Sequence, residues 1–152
     1  MLNEQQRSKA ETMAVELILA VRRAYCRSVN GKVTPKYWTL LQKRLLSSAE
    51  KTFSVSQMVT LVLEKMQLQN LNNSDSDFLI ELISYCREQK LEREFLAFIR
   101  SEYPFLMAIA RRTVEQKREE RELEAAEGLS ISKDDLLAAA EDNGILAEDC
   151  AL

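Results

Sequence analysis

Three glycines (Gly31, Gly128, Gly144) and two prolines (Pro35, Pro104) in 152 residues leave this backbone few places to turn sharply. Average usage is about 7% and 5%. A β-rich chain reverses often, and each reversal draws on these residues for left-handed or pre-set φ values. The shortage therefore predicts a helical chain. The length suits one ordinary core with appendages. A composition 46% hydrophobic and 30% charged is globular rather than disordered.

Helical periodicity recurs along the chain. Met13, Leu17, Val21 and Ala24, with Val15 and Ile18, predict a first helix over about 4–29, broken by Asn30 and Gly31. Thr34 and Pro35 read as cap and first residue of a second helix, whose inner face is Trp38, Leu41, Leu45 and Ala49. Ser54 and Gln57 have capping-box spacing, and Phe53 with Met58 has the spacing of a hydrophobic staple; Val59, Val62, Leu63 and Met66 continue that helix. A fourth helix starts at Ser74, Asp75 or Ser76 and buries Phe78, Leu79, Leu82, Ile83 and Cys86. Leu91, Phe95, Phe98 and Ile99 predict a short fifth helix, and Pro104 a sixth that packs through Phe105, Leu106, Ile109 and Ala110.

After Val114 the pattern changes. No apolar residue follows until Leu123, and seven of the eight residues in "EQKREERE" are charged. Such a segment cannot be buried without unpaired charge, but it contains good helix formers and the i,i+4 pairs Arg111–Glu115 and Arg118–Glu122. The expected class is all-α: a helical bundle or short stack of hairpins with a projecting charged C-terminal helix and a short acidic tail helix. The corresponding divisions are a core at 1–114, a charged helical extension or linker at 115–128, and a tail at 129–152.

Charge is segregated. Between Arg22 and Lys51 there are eight basic residues against Glu50 alone, whereas residues 129–152 carry six acids and only Lys133. Arg22, Arg23, Arg27, Lys36, Lys43 and Arg44 are thus candidates for an acidic partner or, interleaved with Tyr25, Tyr37 and Trp38, for an RNA backbone and its bases. Helical spacing also permits the plainer arrangement, aromatic residues in the core and bases on the wet side. In the tail, Ile131, Ser132, Asp135 and Leu136 repeat a cap-and-staple pattern, and Leu136, Leu137, Ile145 and Leu146 offer a small apolar face. A helix so short needs a surface, either a partner's groove or the chain's own basic helices.

Catalytic chemistry finds little support. The absence of histidine removes the commonest general base and metal ligand. Three isolated glycines build no phosphate-binding loop. No catalytic residue, cofactor or metal is expected. Cys26, Cys86 and Cys150 are odd in number and widely spaced, which points to an intracellular, reducing compartment, with Cys26 and Cys86 as small buried hydrophobes and Cys150 as a loose thiol. "MAVELILAV", interrupted by Glu16, is too short to span a membrane, and the opening "MLNEQQRSKAE" lacks the form of a secretory signal.

Residues 37–91 resemble the helical-hairpin repeats of the octotricopeptide and heptatricopeptide type found in organellar RNA-metabolism proteins. The likeness lies in an "FS"-led helix, Phe53 and Ser54, followed by a Leu-rich helix from Phe78. The resemblance implies stacked helix pairs that hold RNA or serve as structural subunits. The functional expectation is a non-catalytic protein-interaction module, an adaptor or accessory subunit of a larger assembly; the alternative is RNA binding through segment 22–51.

Overall fold

In a computed structural model that describes residues 2–29, 32–69, 71–129 and 148–149, the described chain is all-α. Its helices are α1 (Glu4–Ser28), α2 (Lys36–Lys51), α3 (Val55–Lys65), α4 (Asn73–Glu88) and α5 (Glu92–Leu129). Two short extended segments, β1 (Lys32–Val33) and β2 (Glu148–Asp149), pair antiparallel with Lys32 opposite Asp149. The expected break at Asn30 and Gly31 and the tail helix with Leu136, Leu137, Ile145 and Leu146 lie outside the described residues.

Helix starts follow side chains that satisfy the first orphan N–H groups. Asn3 and Gln6 form a reciprocal capping box on α1, with the Gln6 N–H donating to Asn3 Oδ1 at 2.8 Å and the Asn3 N–H to Gln6 Oε1 at 3.0 Å. Ser54 caps α3 as expected: its hydroxyl accepts the Gln57 N–H at 3.1 Å. Gln57 reaches back one residue further than a strict box, to the Phe53 N–H at 3.1 Å. The staple does not form, because Phe53 is 83% exposed while Met58 is in the core. Thr34 contributes its carbonyl, accepting the Tyr37 N–H at 2.9 Å, and Pro35 already has helical dihedrals.

Two starts differ more substantially. α4 is capped by Asn72, whose Oδ1 accepts the Asp75 N–H at 2.7 Å, and not by Ser74, Asp75 or Ser76. The Asp75 carboxylate is drawn inward by Arg23 instead. The fifth and sixth predicted helices are a single one, with Pro104 inside α5. Proline lacks the N–H that would bond the Arg100 carbonyl, a cost of about 3 kcal/mol in a helix interior. Here Arg100, Ser101, Pro104, Phe105 and Ala108 all lie on the exposed side, so water can reach the freed carbonyl. On the opposite side Phe95, Leu96, Ile99, Leu106, Ala110 and Val114 make one buried face. Phe105, expected in the core, is 52% exposed.

That face organises the bundle, since α5 packs against each of the other four helices. Trp38, Leu41, Leu45, Met58, Val62, Leu82, Phe95 and Phe98 join the expected core, with Ile83 packed at its edge and Ile109 only half-buried. Beyond Val114, residues 115–120 and 122–123 are exposed. Helix nevertheless continues to Leu129, flanked by Arg111–Glu115 at 3.9 Å, Lys117–Glu120 at 3.8 Å and Arg118–Glu122 at 3.5 Å. Such pairs contribute a few tenths of a kcal/mol each, about 0.2–0.5. The charged extension is therefore helical.

α3 and α4 both stop without glycine. Gln67 (φ 58°) and Lys90 (φ 55°) occupy the left-handed region. Behind them the Leu68 N–H donates to the Leu63 carbonyl at 2.9 Å and the Leu91 N–H to the Cys86 carbonyl at 2.8 Å, the pattern of a Schellman motif. A Cβ in that region is costly. Lys90→Gly should accordingly raise unfolding stability by about 0.5–1 kcal/mol, and Ser54→Ala should lower it by about 1 kcal/mol. Urea titration of each variant checks both, with unchanged m values.

Candidate functional site

The basic segment folds into two kinds of environment. Arg22 is fully buried on α1, its guanidinium carbon 5.6 Å from the Trp38 ring centre. Tyr25 stacks on Tyr37 at 4.4 Å, and Tyr37 packs obliquely on Trp38 at 5.8 Å. Tyr37 and Trp38 belong to the core, so these rings fill the bundle rather than offer faces to bases.

Arg23 and Arg27, one turn apart, turn toward the start of α4. Arg23 donates through Nη2 to Asp75 Oδ1 at 2.8 Å and to Glu16 Oε1 at 2.6 Å, with Nε at 3.1 Å from Asp75 Oδ1. Arg27 Nη2 approaches Asp75 Oδ2 at 3.5 Å. Asp75 retains 4% side-chain exposure and Arg23 19%. Burial alone would lower the Arg23 pKa, but its bonds to Asp75 and Glu16 outweigh that and raise it. The network ties α1 to α4 and consumes two of the candidate cations internally. Lys36 and Lys43 are exposed on α2, and Arg44 is half-buried. Of the six candidates, Arg22 is thus interior, Arg23 and Arg27 engage Asp75, and Lys36 and Lys43 stand in water.

The cysteines also sort themselves. Cys86 is a free, buried thiol, pushed up to about 12 by burial and then by Glu92, which leaves it protonated and unreactive at neutral pH. Cys26 is buried, as expected, but is disulfide-bonded rather than a free hydrophobe. Cys150 lies outside the described residues.

A concave surface occurs at the opposite end of the bundle, where the start of α1, the α2–α3 turn and the start of α5 meet. A groove of about 740 Å³ is lined there by Leu2, Phe53 and Leu96 and by Arg7, Arg93 and Arg100, with Glu50 and Glu94 at its margins. Two of the arginines are anchored. Arg7 pairs with Glu102 at 2.9 Å, and Arg100 donates to the Ala49 carbonyl near the end of α2 at 3.1 Å. Arg93 makes no ion pair or side-chain hydrogen bond among the described residues. Phe53 stands beside them almost wholly in water.

None of these groove residues is distinguished by sequence pattern. Phe53 at staple spacing signals burial, and the three arginines lie 7 to 93 residues apart, so only the tertiary fold gathers them. Among the described residues no cluster of three or more Cys, Asp or Glu could hold a metal ion, and no helix is long and apolar enough to cross a membrane. No protein-family model, curated protein or solved structure matches this chain.

The buried Arg23–Asp75 pair carries a stability test. Removing one partner leaves the other charge desolvated, though Glu16 still engages Arg23. Asp75→Ala should therefore cost about 3 kcal/mol, measured by denaturant unfolding. Asp77→Ala, an exposed acid on the same helix, should change stability by less than about 0.5 kcal/mol.

Proposed function

We propose that this chain is a non-catalytic protein-interaction module, an adaptor or accessory subunit of a larger assembly, and that it docks a partner in the groove beside Phe53. The supporting observation is a phenylalanine with 83% exposure beside a concave surface. An aromatic ring left in water forgoes burial worth roughly 1.5–3 kcal/mol, and rings at concave surfaces are characteristic binding hot spots. Arg7 is paired with Glu102 and Arg100 bonds the Ala49 carbonyl, whereas Arg93 makes no ion pair or side-chain hydrogen bond among the described residues. The matching occupant is a protein segment that places an apolar side chain next to a carboxylate.

The helical extension fits the same role. It runs about 1.5 Å per residue beyond the packed part of α5, and its ion pairs lie along its own surface. The hairpin-repeat resemblance of residues 37–91, which cover α2 to α4, is compatible with a structural subunit and equally with RNA holding. RNA binding through the basic segment has weaker support, because Arg22 is interior and Arg23 and Arg27 are engaged by Asp75 and Glu16.

Affinity capture from the native source separates these readings. The expected result is a protein retained by the unaltered chain, lost by tenfold or more with Phe53→Ala and Arg93→Glu, and kept with Lys43→Glu; tenfold corresponds to about 1.4 kcal/mol. Melting should be unaffected by these exposed changes. Retention that ignores Phe53 and Arg93 contradicts groove docking. Salt-sensitive RNA retention that is lost with Lys36→Glu and Lys43→Glu supports the alternative.

A further inference from the structure

α5 carries two large apolar side chains that its own bundle leaves in water, Phe105 at 52% exposure and Leu123 at 62%. They stand 18 residues apart in one continuous helix. At about 3.6 residues per turn that is five whole turns, so both lie on one line along the helix. On or close to that line between them are Ala108, Arg112 and Glu119, all exposed. Nearby charges are engaged within the helix, Arg111 with Glu115, Lys117 with Glu120 and Arg118 with Glu122. Arg112 and Glu119 make no ion pair or side-chain hydrogen bond among the described residues. Two turns separate them, too far for a pair within one helix.

We propose that this stripe is the contact surface of a homodimer, in which a second copy of the chain lies antiparallel along it. The charged extension of each copy then rests on the exposed side of the bundle-packed half of α5 in the other. The order of residues along the stripe selects this occupant, because it runs apolar, cation, anion, apolar. Turned end for end, the second copy brings its Leu123 against Phe105 and Ala108 in the same register that brings its Glu119 against Arg112. The two-fold axis crosses α5 near residue 115, so every contact is made twice. A parallel copy would set Arg112 on Arg112 and Glu119 on Glu119, which like charges oppose.

The two apolar contacts supply the attraction, since each takes an aliphatic and an aromatic side chain out of water. The central ion pairs set register and orientation more than affinity. A single helix pair falls at the small end of interfaces, below about 1,200 Å2, so the dimer is reversible and forms with concentration. Only one stripe of the helix is covered, and amides from Glu115 to Leu123 stay weakly protected relative to the core. The stripe shares no residue with the groove beside Phe53, and the two surfaces act independently.

Sedimentation equilibrium of the full chain across the micromolar range tests the proposal. The apparent mass should climb from one chain toward two as concentration rises. Leu123→Ser should weaken association about tenfold or more. Arg112→Glu and Glu119→Arg, made singly, each place like charges at both central contacts and should weaken it by about tenfold as well. The double variant R112E/E119R exchanges the charges, and its association should return to within about threefold of the unaltered chain. All three positions are exposed, so melting of the dilute protein should not change in any variant. A chain that stays single at the highest concentration overturns the proposal. So does association indifferent to Leu123→Ser, or a double variant that associates no more tightly than the single ones.

Discussion

The bundle depends on one apolar face that runs uninterrupted along α5 from Phe95 to Val114. Each other helix packs on it. Its continuity is not free, since Pro104 removes a backbone hydrogen bond midway along the helix, on the side opposite that face. Two features make the helix tolerate this. The freed carbonyl lies on the wet side, and Phe98 and Ile99 before the proline, like Leu106 and Ala110 after it, are buried in the same core. A break at Pro104 would expose one set or the other. Local chemistry favours a stop there, and tertiary burial outweighs it.

Where the apolar face ends, the charges take over. Past Val114 no buried apolar residue follows among those whose burial is described, and i,i+3 and i,i+4 pairs lie along the helix's own surface. On α1 the logic is reversed. Arg23 and Arg27 find a buried carboxylate on α4, so charges that look available for a partner serve as an internal fastening. Arg22, one position earlier, faces the Trp38 ring instead of water. At the other end of the bundle a concave surface with exposed Phe53 and Arg93 is where the proposed partner would dock.

The helical class, most of the core and the charged extension were legible because period and composition report them directly. Trp38, Leu41 and Leu45 sit on one face by spacing alone, and Ser54 with Gln57 marks a helix start on its own. The misreadings share a cause, which is that a local signal was overridden by a distant residue. Asp75 has the chemistry of a cap but is claimed by Arg23, 52 positions away, so Asn72 caps in its place. No glycine marks the ends of α3 and α4, yet Gln67 and Lys90 adopt the left-handed conformation while the Leu68 and Leu91 N–H groups bond back to Leu63 and Cys86. The groove was invisible for the same reason. Its arginines and Phe53 come from three separate stretches, and no spacing rule joins them.

The continuity of α5 is most directly tested by backbone NMR of the full chain, combining secondary chemical shifts with amide exchange across residues 92–129. The account predicts helical shifts on both sides of Pro104 without a gap, strong protection at Phe95, Ile99, Leu106 and Ala110, and helical shifts with weak protection from Glu115 to Leu123. Non-helical shifts at residues 101–105, or coil shifts beginning at Glu115, would contradict it.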